Sequence, residues 1–117
     1  MGTFTVNMRV IGGNGLTEDV EALVDTGATY ASLPTSLLER LGIAPLETGS
    51  FRTATGEVVE LNLGQVEVEL DGRRRVVLTV FGPDGAGALL GATVLELFSL
   101  AVDPIEQRLM PVPGLLM

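Results

Sequence analysis

Apolar and polar residues alternate along much of this chain with a period of two. Phe4, Val6, Met8 and Val10 interleave with Thr5, Asn7 and Arg9, the pattern of a strand with one buried face. Gly12-Gly13-Asn14-Gly15 follows as a turn, and its glycine spacing fits neither a dinucleotide loop nor a P-loop. A second strand is predicted over Asp19–Val24, ending directly on Asp25-Thr26-Gly27. After Leu33-Pro34 the pattern predicts a short helix over Ser36–Leu41, with Ser36 and Glu39 as a capping box and Gly42 at C′. Strand signals return at Gly49–Thr53 and Glu57–Leu63, flanking Ala54-Thr55-Gly56 as a hairpin with its tip near Gly56. Val66, Val68 and Leu70 alternate with Glu67 and Glu69, and Asp71-Gly72 turns the chain into a return strand over Arg73–Phe81. A loop over Gly82–Gly87 leads to the apolar step Ala88-Leu89-Leu90-Gly91. Thr93 and Glu96 read as a second capping box opening a helix over Val94–Ser99, and two short strands follow, Leu100–Asp103 and Leu109–Val112. No repeat, linker or low-complexity stretch divides the chain. Residues 1–117 therefore read as a single domain, mainly β, with one or two short helices.

Composition removes most catalytic chemistries. The chain has no Cys, His, Lys or Trp. Without Cys there is no disulfide, thiolate nucleophile or zinc finger. Without His the Ser–His–Asp and Cys–His arrangements are impossible, and without Lys there is no Schiff base or Walker A loop. Carboxylates are the titratable groups that remain for catalysis near neutral pH. Seven basic against fifteen acidic residues give a net charge of −8, which argues against nucleic-acid and anionic-membrane partners. The sequence contains no apolar run near the roughly 20 residues needed to span a bilayer and no secretion signal, so the expected location is cytoplasmic.

Most candidate clusters have an ordinary explanation. Arg73-Arg74-Arg75 follows a hairpin turn and reads as a solvated strand start. Glu18, Asp19 and Glu21 lack the spacing of a calcium loop, and neighbouring strand residues face opposite ways. Tyr30 reads as a packing residue. Asp25-Thr26-Gly27 stands apart. Alone it describes an Asx-turn, but Ala22-Leu23-Val24 delivers Asp25 from an apolar strand onto a tight turn, with Ala28-Thr29 continuing in small residues. A hairpin tipped by Gly56 and the step Leu89-Leu90-Gly91 before a helix follow in order.

In these segments the chain resembles the retropepsin-like aspartic proteases, the single-lobe branch of the pepsin clan, and is closer to bacterial, archaeal and cellular members than to viral ones. Ala22–Ala28 is similar to the active-site loop, Ala54-Thr55-Gly56 to the flap tip, and Leu90-Gly91 with the following helix to the second half of the ψ-shaped motif. The resemblance implies a closed β-barrel of the acid-protease fold and an aspartic endopeptidase that needs no cofactor and no metal. It implies that Asp25 is catalytic, that Thr26, Gly27 and Ala28 support the active-site loop, that Ala54, Thr55 and Gly56 cover the substrate, and that Leu90 and Gly91 pack the ψ-motif. Two carboxylates are needed, and none of Asp19, Asp71, Asp84 or Asp103 is followed by Thr or Ser and then Gly. The second must then be Asp25 of another copy at the axis of a homodimer, with Thr26 hydrogen-bonding across that axis. The partner is an extended peptide or protein substrate. Ala28 replaces the Ser of many pepsins, which implies an optimum less acidic than a digestive enzyme's.

Two other classes share these residues. One is a dimerising, peptide-binding module of the same fold with weak or no catalysis, and the other is a carboxylate–metal hydrolase or binding protein. The apolar tail, Leu109–Met117, is expected in or beside a dimer interface.

Overall fold

The opening alternation does become a two-faced strand. In the computed structural model, which describes residues 3–114, β1 (Phe4–Ile11) buries Met8 and Val10 while Thr5, Asn7 and Arg9 face out. It pairs antiparallel with β2 (Thr17–Val24) from Phe4↔Val24 to Ile11↔Thr17. There follow β3 (Ala31–Pro34), α1 (Thr35–Arg40), β4 (Glu47–Arg52), β5 (Val58–Leu70) and β6 (Arg73–Gly82). A 3₁₀ turn at Asp84–Ala86 leads to β7 (Ala88–Leu90), α2 (Ala92–Leu97), β8 (Leu100–Asp103) and β9 (Arg108–Pro111).

The main sheet runs β1-β2-β7-β3-β6-β5-β4, and β1 also pairs with β5 through Arg9↔Glu69, Val10↔Val68 and Ile11↔Glu67. That second pairing closes six strands into a barrel and leaves β4 outside it, attached by one edge to β5. Closure reduces the open edges that a flat sheet would present, with β4 keeping one free edge. The inward faces supply the core: Leu33, Val10, Val66, Val68 and Leu90 are fully buried, with Leu38 of α1 and Val94 of α2 sealing the ends. Each such side chain contributes roughly 1.5–3 kcal/mol, which is what holds helices of six residues that are too short to persist alone.

The segments expected as two strands, Glu57–Leu63 and Val66–Leu70, are one strand of thirteen residues. Its first half pairs with β4 and its second with β6 and β1, so the change of partners hides its continuity. Asp71 and Gly72 take the positive φ of a two-residue hairpin turn, 54° and 76°.

Both expected capping boxes are absent. Pro34 ends β3 and is also the residue before α1, so Ser36 falls inside the helix and cannot cap it. The Ser36 N–H instead donates to the Asp84 carboxylate at 2.9 Å, an acceptor brought by the loop before β7. At the other end Gly42 N–H donates to Glu39 O and Ile43 N–H to Leu38 O, a Schellman closure with Gly42 at C′ as expected. Thr93 likewise lies inside α2, whose preceding residue is Gly91. Its hydroxyl donates to Thr29 O at 2.6 Å. The tail residues 108–111 pair with β8 of the same chain, and Val112 N–H donates to Ser99 O. Residues 115–117 lie outside the described residues.

Candidate active site

β2 and β7 lie parallel, with Ala22↔Ala88, Leu23↔Leu89 and Val24↔Leu90 in register. The pairing continues one step beyond β2, where Asp25 N–H donates to Leu90 O at 3.0 Å. Asp25 is thus fixed at the end of a core strand, and the chain turns there. Its carbonyl accepts from Ala28 N–H at 3.2 Å, and its Oδ1 accepts from Gly27 N–H at 2.9 Å. The carboxylate is half-buried in a depression of about 310 Å³ lined by Thr3, Phe4, Val24, Asp25, Thr26, Gly27 and Val102. Asp25 is the one ionisable group in that lining.

The other side of the loop is held by α2. Ala92 N–H donates to Ala28 O at 2.7 Å, and Thr93 N–H donates to Thr29 O at 3.0 Å. The first helical turn therefore satisfies its own free N–H groups with carbonyls of the loop. This approach is possible because position 91 is glycine. A Cβ there would lie 2.5 Å from Tyr30 O and 2.7 Å from Ala28 O. Leu90, fully buried, anchors the same junction in the core.

Ala54, Thr55 and Gly56 form the tip of the β4–β5 hairpin and do not line the Asp25 depression. The tip is stapled by Thr53 N–H to Glu57 O at 2.8 Å and Gly56 N–H to Thr53 O at 2.9 Å, with Gly56 at φ +88°. The Arg52 guanidinium closes it, donating to Gly56 O at 2.9 Å. An aromatic pair joins the hairpin to the Asp25 loop: Phe51 of β4 stands edge-on to Tyr30 with ring centroids 5.9 Å apart. Sequence reasoning treated Tyr30 as packing and missed its partner, along with Thr93, Ala92 and Asp84. The Leu-Gly-Ala-Thr step was the available signal, since a glycine directly after a strand is a place where another stretch of backbone can approach closely.

Several of the other charges form ion pairs on the surface. Arg9 Nε bonds Asp19 Oδ1 at 2.9 Å, and this hydrogen bond holds the Asp19 carboxyl below its ordinary range. Arg40 pairs with Glu18, Arg74 with Glu69 and Arg73 with Asp71. Among the described residues no three acidic side chains converge on a metal-sized site, and no helix is long and apolar enough to cross a membrane.

A family model described as "gag-polyprotein putative aspartyl protease" matches residues 13–96, well over half of the chain. Solved structures are similar across most of the length. A retropepsin-like aspartic protease from Rickettsia conorii is 24% identical, with 87% of this chain and 77% of that one covered and a TM-score of 0.61. The retroviral protease-like domain of Ddi1 from Leishmania major is 18% identical over 95% of this chain and 89% of that one, with a TM-score of 0.60. The protease of Simian Foamy Virus (mac) is 17% identical over 79% and 91%, with a TM-score of 0.58. No curated protein matches by sequence. The barrel is the retropepsin-like fold.

Proposed function

Because the chain belongs to the gag-polyprotein aspartyl protease family, we propose that it is an aspartic endopeptidase that works as a homodimer, with Asp25 of each copy forming the catalytic pair. The observation that carries this reading is the placement of Asp25. It is the sole ionisable group of an otherwise uncharged depression, on a turn tied through its backbone to β7 and α2. A single chain supplies one such carboxylate, and a twofold axis beside the loop supplies the second.

Two carboxylates this close do not both ionise cheaply, so the pair keeps one proton. The ionised member takes a proton from a water molecule as it attacks the scissile carbonyl carbon. The protonated member donates to the carbonyl oxygen and stabilises the charge that develops there. No cofactor or metal enters this chemistry. Thr26 is exposed, and among the described residues its hydroxyl makes no hydrogen bond, which leaves it free for the opposing loop. Gly27 permits close approach of a substrate strand, and the hairpin tipped by Ala54, Thr55 and Gly56 closes over it. The detached β8–β9 sheet supports the location of the axis. It stands outside the barrel sheet, and its Val102 lines the Asp25 depression beside Phe4.

Incubation with an unbiased peptide library tests the reading. The wild type is expected to cleave, and Asp25→Asn, nearly isosteric, to keep the fold and lose cleavage by several orders of magnitude. Equal digestion by both proteins would remove Asp25 from the mechanism. Tight binding of peptides without cleavage by the wild type would favour the peptide-binding module instead.

A further inference from the structure

β6 is paired along both edges only near its end. β5 lies against residues 73–80, but β3 reaches only residues 79–82 on the other side. Among the described residues no strand pairs with that second edge over residues 73–78, and no loop or helix bonds to it through the main chain. Alternate residues of an antiparallel ladder turn their N–H and C=O away from the partner strand, so this stretch offers free donors and acceptors. α2 stands beside it, across a groove of about 220 Å³ lined by Val76, Val77 and Leu78 on the strand side and Thr93, Val94 and Leu97 on the helix side. Successive strand residues point to opposite faces, so a groove that touches three in a row lies along the edge. No charged side chain lines it, and Val76, Leu78 and Leu97 are 56%, 40% and 49% exposed.

A single cation marks one end of the groove. Arg75 directly precedes Val76, Phe98 directly follows Leu97, and the Arg75 guanidinium carbon lies 5.9 Å from the Phe98 ring centroid. Arg73 pairs with Asp71 and Arg74 with Glu69. Among the described residues Arg75 has no carboxylate partner, and its guanidinium donates to Arg74 O at 2.8 Å. A second copy pairing antiparallel over all of residues 73–78 would bring two such cations within one strand position of each other, which disfavours it as the occupant. We propose that this edge of β6 is a docking site for an extended peptide segment of another protein. The segment adds as a strand beside α2, lays apolar side chains on Val76, Leu78 and Leu97, and sets a carboxylate on Arg75. None of these residues lines the Asp25 depression, so the site does not rest on the peptidase reading.

The probe is a synthetic heptapeptide in which valine and threonine alternate between two terminal glutamates. It is titrated into the Asp25→Asn protein, so that it is not consumed, and amide NMR shifts are followed. Saturable shifts are expected in residues 73–78 and 93–97. Methylating alternate peptide nitrogens along one edge of the probe is expected to abolish binding, and methylating those along its other edge to leave Kd within about twofold. Arg75→Glu, at an exposed position, is expected to raise Kd about three- to tenfold, and a probe with lysines in place of the glutamates to recover affinity for that variant. No saturable shift, shifts confined to residues 24–28, equal losses from methylation of either edge, or no recovery in the charge swap overturns the proposal. Shifts in residues 73–78 that grow with protein concentration alone, and that the peptide does not change, would assign the edge to a second copy and overturn it as well. Cleavage of the peptide library by the wild type decides the peptidase reading separately.

Discussion

At position 91 the absence of a single carbon decides whether the loop and α2 can meet. The junction brings three loop groups, Tyr30 O, Ala28 O and Thr29 C, within 2.8 Å of where a Cβ would stand. All three belong to the backbone and cannot rotate aside as a side chain would. Gly91→Ala is therefore expected to destabilise by about 1–3 kcal/mol or more, read as a lower denaturation midpoint. It should also loosen Asp25, whose N–H bonds to Leu90 O one residue before the glycine; a variant as stable as wild type would contradict the packing account. The proposed carboxylate pair makes a second prediction. If the pair must carry one proton to cleave, activity is expected to fall when both members are protonated at low pH and again when both ionise at high pH, with the two limbs belonging to the pair jointly. Ala28 offers no hydroxyl to stabilise the ionised form, and the hydrogen bond to the Asp25 side chain comes from the Gly27 main chain. A pH–rate profile should be bell-shaped with a maximum well above that of a digestive enzyme; a maximum at about pH 2 contradicts this.

Among the elements, β4 stands outside the closed barrel with a neighbour on one edge only, and Phe51 on Tyr30 joins it to the Asp25 loop. An edge-to-face pair contributes about 0.5–1.5 kcal/mol beyond its area. Phe51→Ala should raise amide hydrogen exchange in residues 47–61 while leaving β1 and β2 protected. Unchanged exchange in the hairpin would show that the aromatic pair does not restrain it.

The strands were legible in the sequence because side chains alternate across a pleated sheet, so burial writes itself as a period of two, as in Phe4–Val10. The turns at Asp71-Gly72 and Gly56 were legible because positive φ restricts residue type. Asp25 was legible because an Asp at a strand end followed by Thr-Gly is unusual. The clamp between α2 and the loop was not, since main-chain N–H and C=O groups make most of it and any residue supplies those. Thr93 and Glu96 have the spacing of a capping box, yet the glycine before Ala92 shifts the helix start and leaves the Thr93 hydroxyl to bond Thr29. Asp84 caps α1 from 48 residues away in sequence, beyond the reach of any local pattern.

For the whole molecule, barrel closure and the proposed dimerisation answer different needs. Pairing of β1 with β5 closes the barrel within one chain. The proposed catalytic pair is not completed that way, because the chain has one Asp-Thr-Gly. On the proposed homodimer reading the joining surface lies beside β8 and β9, whose Val102 lines the Asp25 depression. Assembly would then control activity without being required for the fold of the barrel. The most direct test is to mix wild-type and Asp25→Asn subunits in varying proportions at constant total concentration, allow them to exchange, and measure cleavage. If each active site needs Asp25 from both copies, mixed dimers are inactive and activity falls as the square of the wild-type fraction. A fall in simple proportion to that fraction would mean that one Asp25 suffices, and would contradict the shared dyad.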